Sequence, residues 1–287
     1  MKRLICFVAL TVSLITASLL LTPEASAITY GFVDSNNTFS NTGAFIVKSP
    51  TTGQIFPICS GTMITDNVFL TASHCTDFFT RDLAVDGFVA YVSLDPSIPF
   101  GELTSTKTKL LSVAHVVTNP NYNQSQSDSG DIGVLILDRS VRGVTPATLP
   151  SCGLLDQLSA QNGLKTAMFT NAGYGLQNRV VGGGVPFFQD LNPIPRMFSF
   201  SSFNSLNGGY LRLSQNNSTG NGGTCFGDSG GPNFMSLNGK QLIAAITITG
   251  DSVCRSTNVD YRLDTVSAQG FLAYVNAAFG THIAVSC

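Results

Sequence analysis

Only three histidines occur in the 287 residues, His74, His115 and His282, so an imidazole acting as a general base must come from a short list. His74 lies in Leu70-Thr-Ala-Ser-His-Cys75, directly after an apolar run, and Asp131 opens another such run, Asp131-Ile-Gly-Val-Leu-Ile-Leu137. Ser229 lies in Gly227-Asp-Ser-Gly-Gly-Pro232, which suits neither a helix nor a strand interior. Its glycines permit a tight turn with unusual backbone angles. Such a turn can expose a serine hydroxyl and aim backbone N–H groups at one point. A serine hydroxyl is a weak nucleophile at neutral pH and needs a neighbouring imidazole to take its proton. The imidazole in turn needs a carboxylate to fix its tautomer, and the oxyanion formed during acyl transfer needs preorganised donors. His74, Asp131, Ser229 and the N–H groups of Gly227 and Ser229 are of the right types for those four roles. His115 precedes the loop-like Asn119-Pro-Asn-Tyr122 and His282 lies near the C-terminus, so both are expected at the surface.

The elements that must position these groups read as strands. Gly43–Lys48, Phe69–Ala72, Gly87–Ser93, Lys109–Val117 and Gly133–Leu137 are short apolar runs punctuated by Gly, Asn, Asp, Pro and Ser, and Ala167–Thr170, Tyr210–Leu213 and Gln241–Ile248 continue the pattern. That punctuation predicts an all-β sandwich or barrel. One helix is predicted near the end, where Phe271, Leu272, Val275 and Phe279 share a face, Thr265 or Ser267 can cap the start and Gly280 the end. Asn178–Pro195, with Gly182-Gly-Gly184 and three prolines, reads as a surface excursion.

Composition narrows the class further. Charged residues make up only 11% of the chain, against about 25% in a typical soluble domain. The 43% hydrophobic content excludes disorder, and 15 basic against 17 acidic residues leave no basic excess for a nucleic-acid partner. The N-terminus has the three parts of a secretory signal: Lys2 and Arg3, an apolar run over Leu4–Leu21, then Pro23 and Ala25-Ser-Ala27. Residues 1–27 are therefore expected to be cleaved rather than kept as a membrane anchor. The product would be an extracellular protein, or a periplasmic one where the cell has an outer membrane, with no membrane attachment. Six cysteines follow the signal, Cys59, Cys75, Cys152, Cys225, Cys254 and Cys287, an even count that suggests disulfides in any of 15 connectivities. No CxxC pair and no Cys/His cluster is present, so no metal is expected.

Taken together, the segments around His74, Asp131 and Ser229 resemble the three active-site motifs of the trypsin/chymotrypsin-like serine proteases, in the family's order and at roughly its separations. Cys59-Ser-Gly-Thr-Met-Ile64 resembles the strand before the family's histidine, Gly173-Tyr-Gly175 its Gly-Trp-Gly, and Tyr261-Arg-Leu-Asp264 its last strand. The likeness covers residues 28–287. It implies an all-β fold of two six-stranded antiparallel barrels, about 28–150 and 151–287, with a short C-terminal helix and the site in the cleft between them. It implies a His74, Asp131 and Ser229 triad and an oxyanion hole from Gly227 and Ser229, acting on polypeptide substrates as a monomer without metal or organic cofactor. It also implies Cys59–Cys75 and Cys225–Cys254 disulfides, which leave Cys152 to pair with Cys287. Asp228 would pair with a new N-terminal ammonium, and Ile28 follows the signal directly, so signal cleavage itself would supply it.

The departures bear on specificity. Gly223 stands where the resemblance places the base of the primary pocket, and Ile248-Thr-Gly250 stands in place of Ser-Trp-Gly. Gly223 and Gly250 then leave a pocket for uncharged side chains. Alternatively Asp260, with a one-residue gap, reaches the pocket and favours Lys or Arg, although burying an unpaired carboxylate is costly. Two rival functions share some of these features. Gly227–Gly231 also fits the G-x-S-x-G elbow of α/β-hydrolases, but only 58 residues follow Ser229 and no helix–strand alternation is present. A protease-like binding protein without catalysis is the other, against which all three triad residue types stand.

Overall fold

The computed structural model describes residues 28–101, 108–123, 125–176, 179–180, 187–188 and 192–287. The signal-like segment and much of Asn178–Pro195 lie outside the described residues. Twelve strands carry the fold. In the first half they are β1 (Thr42–Lys48), β2 (Ile55–Met63), β3 (Val68–Thr71), β4 (Val89–Ser93), β5 (Leu111–Thr118) and β6 (Gly133–Leu137). They close an antiparallel barrel in the order β1-β2-β3-β6-β5-β4. In the second half they are β7 (Met168–Gly173), β8 (Met197–Leu206), β9 (Tyr210–Ser214), β10 (Pro232–Leu237), β11 (Lys240–Gly250) and β12 (Thr257–Arg262). Their order is β7-β8-β9-β12-β11-β10, with β10 paired back to β7, so the same closed topology occurs twice. Closure leaves neither barrel an open edge within its ladder.

The first barrel is filled from the expected apolar runs: Phe45 and Val47 from β1, Phe69 and Leu70 from β3, and Val134 and Leu135 from β6 are all buried. The second barrel contains a strand that the apolar runs did not predict, β8. Along β8 the serines Ser199 and Ser201 are buried while Phe200 is exposed. Asn171 of β7 donates its side-chain amide to both serine hydroxyls, and Ser201 donates in turn to the Gly222 carbonyl. Alternation of Phe and Ser is present, but with the polar face inward, so a search for buried apolar alternation passes over it.

Among the described residues three α-helices complete the fold: α1 (Ser73–Phe78), α2 (Leu154–Ala160) and α3 (Val266–Phe279). The last is the predicted helix. Thr265 accepts from the Ala268 N–H at its start, Gly280 closes it at φ 65°, and Phe271, Leu272 and Val275 face inward. The disulfides are Cys59–Cys75, Cys152–Cys287 and Cys225–Cys254. His115 and His282 are exposed.

One buried ion pair joins the N-terminal segment to both barrels. Arg196 and Asp34 are both within 1% of full side-chain burial and meet at 2.9 Å. The Arg196 guanidinium also donates to the carbonyls of Thr42 and Leu94 and to the Tyr174 hydroxyl. Asp34 accepts in addition from the N–H groups of Thr38 and Phe39. Removing one member of such a pair strands the other charge in a dry interior. Asp34→Ala is therefore expected to cost about 3–5 kcal/mol of unfolding free energy, measured by denaturant titration.

Candidate active site

β3 ends at Thr71, and after the extended Ala72 the chain turns directly into α1, which puts His74 in the first turn of a helix at the barrel mouth. Asp131 sits just before β6, the register partner of β3. Adjacent strand ends thus bring together two residues 57 apart in sequence. Asp131 accepts from the His74 backbone N–H at 2.8 Å through one oxygen and meets Nδ1 at 2.9 Å through the other. A carboxylate accepts only, so Nδ1 carries the proton and the Nε2 lone pair is left available. The loop is held from behind: Ser73 Oγ donates to the Ile132 carbonyl at 2.7 Å and accepts from the Asn119 N–H. Asp131 is buried while the His74 side chain keeps 30% of its surface.

Ser229 lies in a turn that the opposite barrel grips. Ser60 of β2 donates its backbone N–H to the Ser229 carbonyl and its hydroxyl to the Gly227 carbonyl, both at 2.9 Å. The same hydroxyl accepts from the Tyr174 N–H. Gly227 (φ 96°) and Gly230 (φ 78°) both occupy the left-handed region. A Cβ on Gly230 would also collide with the Thr71 hydroxyl and the Ser60 carbonyl, so glycine is required there twice over. Among the described residues neither the Gly227 nor the Ser229 N–H donates to another protein group. His74 and Ser229 line one cavity of about 360 Å³. The arrangement can supply a nucleophile, an oriented base and two free N–H donors at one place, the requirements of acyl transfer.

The cavity wall comprises Thr224–Phe226 and Thr247–Ser252, with Cys254 behind the Cys225 disulfide. Gly250 is in this wall; Gly223 and Asp260 are not. Asp260 is fully buried, and its Oδ1 accepts from Asn233, Asn258 and Thr247. Its Oδ2 has no partner among the described residues, and desolvation by burial raises its pKa well above the ordinary carboxylate value, against the lowering effect of the three donors on Oδ1. Two of these partners link it to the cavity: Thr247, itself in the wall, and Asn258, which accepts from the Thr224 hydroxyl at 2.6 Å. The space beside Gly223 is taken by Gln215: a Cβ there would collide with the Gln215 amide. Gln215 donates to Asp251 at 3.1 Å, and Asp251 also accepts from the N–H groups of Arg255, Ser256 and Thr257. Those donors lower the Asp251 pKa against the opposing effect of burial. Asp251 is thus the carboxylate in the wall, and it is already surrounded by donors. Nothing in the local sequence of Gln215, on β9's outgoing end, marks it for this place.

His74 also lies beside two sulfurs, Cys59 and Cys75, but these are bonded to each other and are not thiolate ligands. Among the described residues, no helix is long and apolar enough to cross a membrane.

The trypsin family model matches residues 32–268, most of the chain and both barrels. The chain belongs to the trypsin family. Among curated relatives it is similar to vitamin K-dependent protein C of Felis catus, 28% identical over 159 residues, covering 52% of this chain and 94% of that one. It is also similar to the protein of the same name from Rattus norvegicus, 26% identical over 208 residues, covering 67% of this chain and 40% of that one. The trypsin family is one of serine proteases that act on polypeptides, and three disulfides brace this member of it.

Ile28 and Asp228 are both fully buried. Ile28 is fully buried against Met197, and Thr29 bridges to Gly223, whose N–H donates to the Thr29 carbonyl. Asp228 is fully buried, and its oxygens accept from the Gly175 and Cys225 N–H groups. Among the described residues no cation pairs with it, and desolvation, outweighing those two bonds, raises its pKa to about 7. In this form, with residues 1–27 attached, the Ile28 nitrogen is an uncharged amide. A raised folded pKa favours the folded state fully below the unfolded value and less as pH climbs through the folded one. The uncleaved chain is expected to lose stability between about pH 4 and pH 7, by of order 1 kcal/mol per pH unit. Asp228→Asn should flatten that slope, as read from denaturation midpoints across the same range.

Proposed function

We propose that the protein is a secreted serine endopeptidase that cuts peptide bonds through an acyl-enzyme. The observation that carries the reading is the pairing of His74 Nδ1 with Asp131 at 2.9 Å in a cavity shared with Ser229. Ser229 Oγ attacks the peptide carbonyl as His74 Nε2 takes its proton. The tetrahedral oxyanion is held by the N–H groups of Gly227 and Ser229. Collapse expels the amine, to which His74 returns the proton, leaving an ester on Ser229; water activated by His74 then releases the acid. Asp131 holds the ring in the needed tautomer and stabilises the imidazolium.

In this reading residues 1–27 are an export signal, and its removal turns the Ile28 amide into an ammonium that moves to Asp228. Pairing favours the carboxylate that burial alone disfavours, which ties the order of the Gly227–Gly231 turn to cleavage. The mature chain of residues 28–287 acts as a monomer with the barrels divided near residue 150. The primary pocket takes uncharged side chains. Gly250 supports this by leaving the wall open, Asp260 by lying buried outside the wall, and Asp251 by the five hydrogen bonds it already accepts.

Hydrolysis of a peptide library by the mature protein tests both parts. Asp131→Asn is expected to lower kcat by about 10⁴-fold, and Ser229→Ala to abolish turnover with the fold retained. Cleavage should follow uncharged residues; a strong Arg or Lys preference would refute the neutral pocket, and undiminished cleavage by Ser229→Ala would refute the mechanism.

A further inference from the structure

A second cleft, of about 270 Å³, adjoins the Ser229 cavity and shares Ile248 and Thr249 with it. Arg212 lines it, with Tyr122, Gln126, Tyr210 and Asp131. Thr249 pairs in register with Val259, and Val259 with Arg212, so the three stand on one face of three adjacent strands. The Arg212 side chain is half-buried and lies over the Tyr210 ring at 5.8 Å. Among the described residues it makes no ion pair and no side-chain hydrogen bond. The carboxylate in the cleft, Asp131, has one oxygen on the His74 N–H and the other on Nδ1. A guanidinium with five donors, none of them accepted by another group among the described residues, therefore faces a cleft that adjoins the Ser229 cavity.

The backbone suggests how a peptide would reach it. β11 pairs with β12 as far as Gly250 but with β10 only as far as Ile246. One edge of residues 248–250 is thus free of a neighbouring strand at the cavity, which suits addition of an extended peptide. The described ladders are antiparallel. Thr247 is tied to the Ser229 turn, its carbonyl accepting from the Gly230 N–H. An antiparallel peptide with its reacting carbonyl there would run its N-terminal side along Ile248–Gly250, past the second cleft.

We propose that Arg212 makes this cleft a subsite for an acidic side chain of the substrate, two to four residues before the cut bond. The proposal rests on the peptide-hydrolysis reading for the identity of its ligand. A guanidinium and a carboxylate form the charge-assisted pair expected in such a site. The paired test substrates carry Glu or Gln at each of these positions and are otherwise identical. The mature protein should cut one Glu peptide with kcat/KM about tenfold above its Gln partner, the advantage shrinking in high salt. Arg212→Gln should bring that ratio to about one, and Arg212→Glu below one. A ratio unchanged in both variants would overturn the proposal. Binding of the same peptides to the Ser229→Ala protein, read by fluorescence anisotropy, separates the two readings. An Arg212-dependent preference for Glu in binding, without cleavage by the Ser229 form, would sink the hydrolase and keep the subsite. Equal binding of Glu and Gln peptides would sink the subsite alone.

Discussion

Ser60 is the point on which the site depends. This buried residue of the first barrel makes four hydrogen bonds through three groups: its N–H to the Ser229 carbonyl, its hydroxyl to the Gly227 carbonyl and from the Tyr174 N–H, and its carbonyl from the Thr71 hydroxyl. Thr71 ends the strand that leads into His74, and Tyr174 and Ser229 belong to the second barrel. The base and the nucleophile are therefore referenced to one residue, although they come from separate barrels. Net gains of about 1 kcal/mol per such bond are modest. Their value lies in position, because acyl transfer tolerates little displacement of reacting groups. The glycines at 227 and 230 make that grip possible, since a side chain at 230 would lie where Thr71 and Ser60 now meet the turn.

The second barrel is organised by buried polarity to an unusual degree. Asn171 and the inward serines of β8, and Asn233, Asn258, Thr247 and Asp260 behind the pocket wall, form networks where the first barrel has Phe, Leu and Val. Such groups cost stability when unpaired and define geometry when paired. The wall of the cavity inherits this geometry through Thr224 and Thr247. Asp228 is the place where the same logic is left incomplete: two backbone donors do not offset its desolvation, and among the described residues no counter-ion meets it.

His74, Asp131 and Ser229 stand out in the sequence because their settings, an Ala-Ser-His-Cys run, an Asp opening an apolar strand and a serine within Gly-Asp-Ser-Gly-Gly, follow one another in a meaningful order. The apolar strands of the first barrel and helix α3 were equally open to reading, since their side chains follow the burial they experience. Met197–Leu206 was not, because its buried face is serine and its exposed face phenylalanine. The short helix at His74 was hidden by its own strand-like approach. The pocket was the least legible part. Gly223 pointed to an open base, but Gln215, at the end of the strand just before it, folds back to fill that space. Asp260 suggested a charge for the pocket, but a strand alternates its side chains and this one turns to the interior with Asn233 and Asn258. Long-range packing of this kind leaves no local signature in a single chain.

The central claim is that Ser229 is activated by His74 within the mature fold. The most direct measurement is the intact mass of the secreted protein before and after a fluorophosphonate, with the labelled peptide mapped. The account predicts a starting mass of Ile28–Cys287 with three disulfides and one adduct, located on Ser229 and absent after His74→Ala. The same starting mass with no adduct would contradict it and leave the cleft as a binding site only.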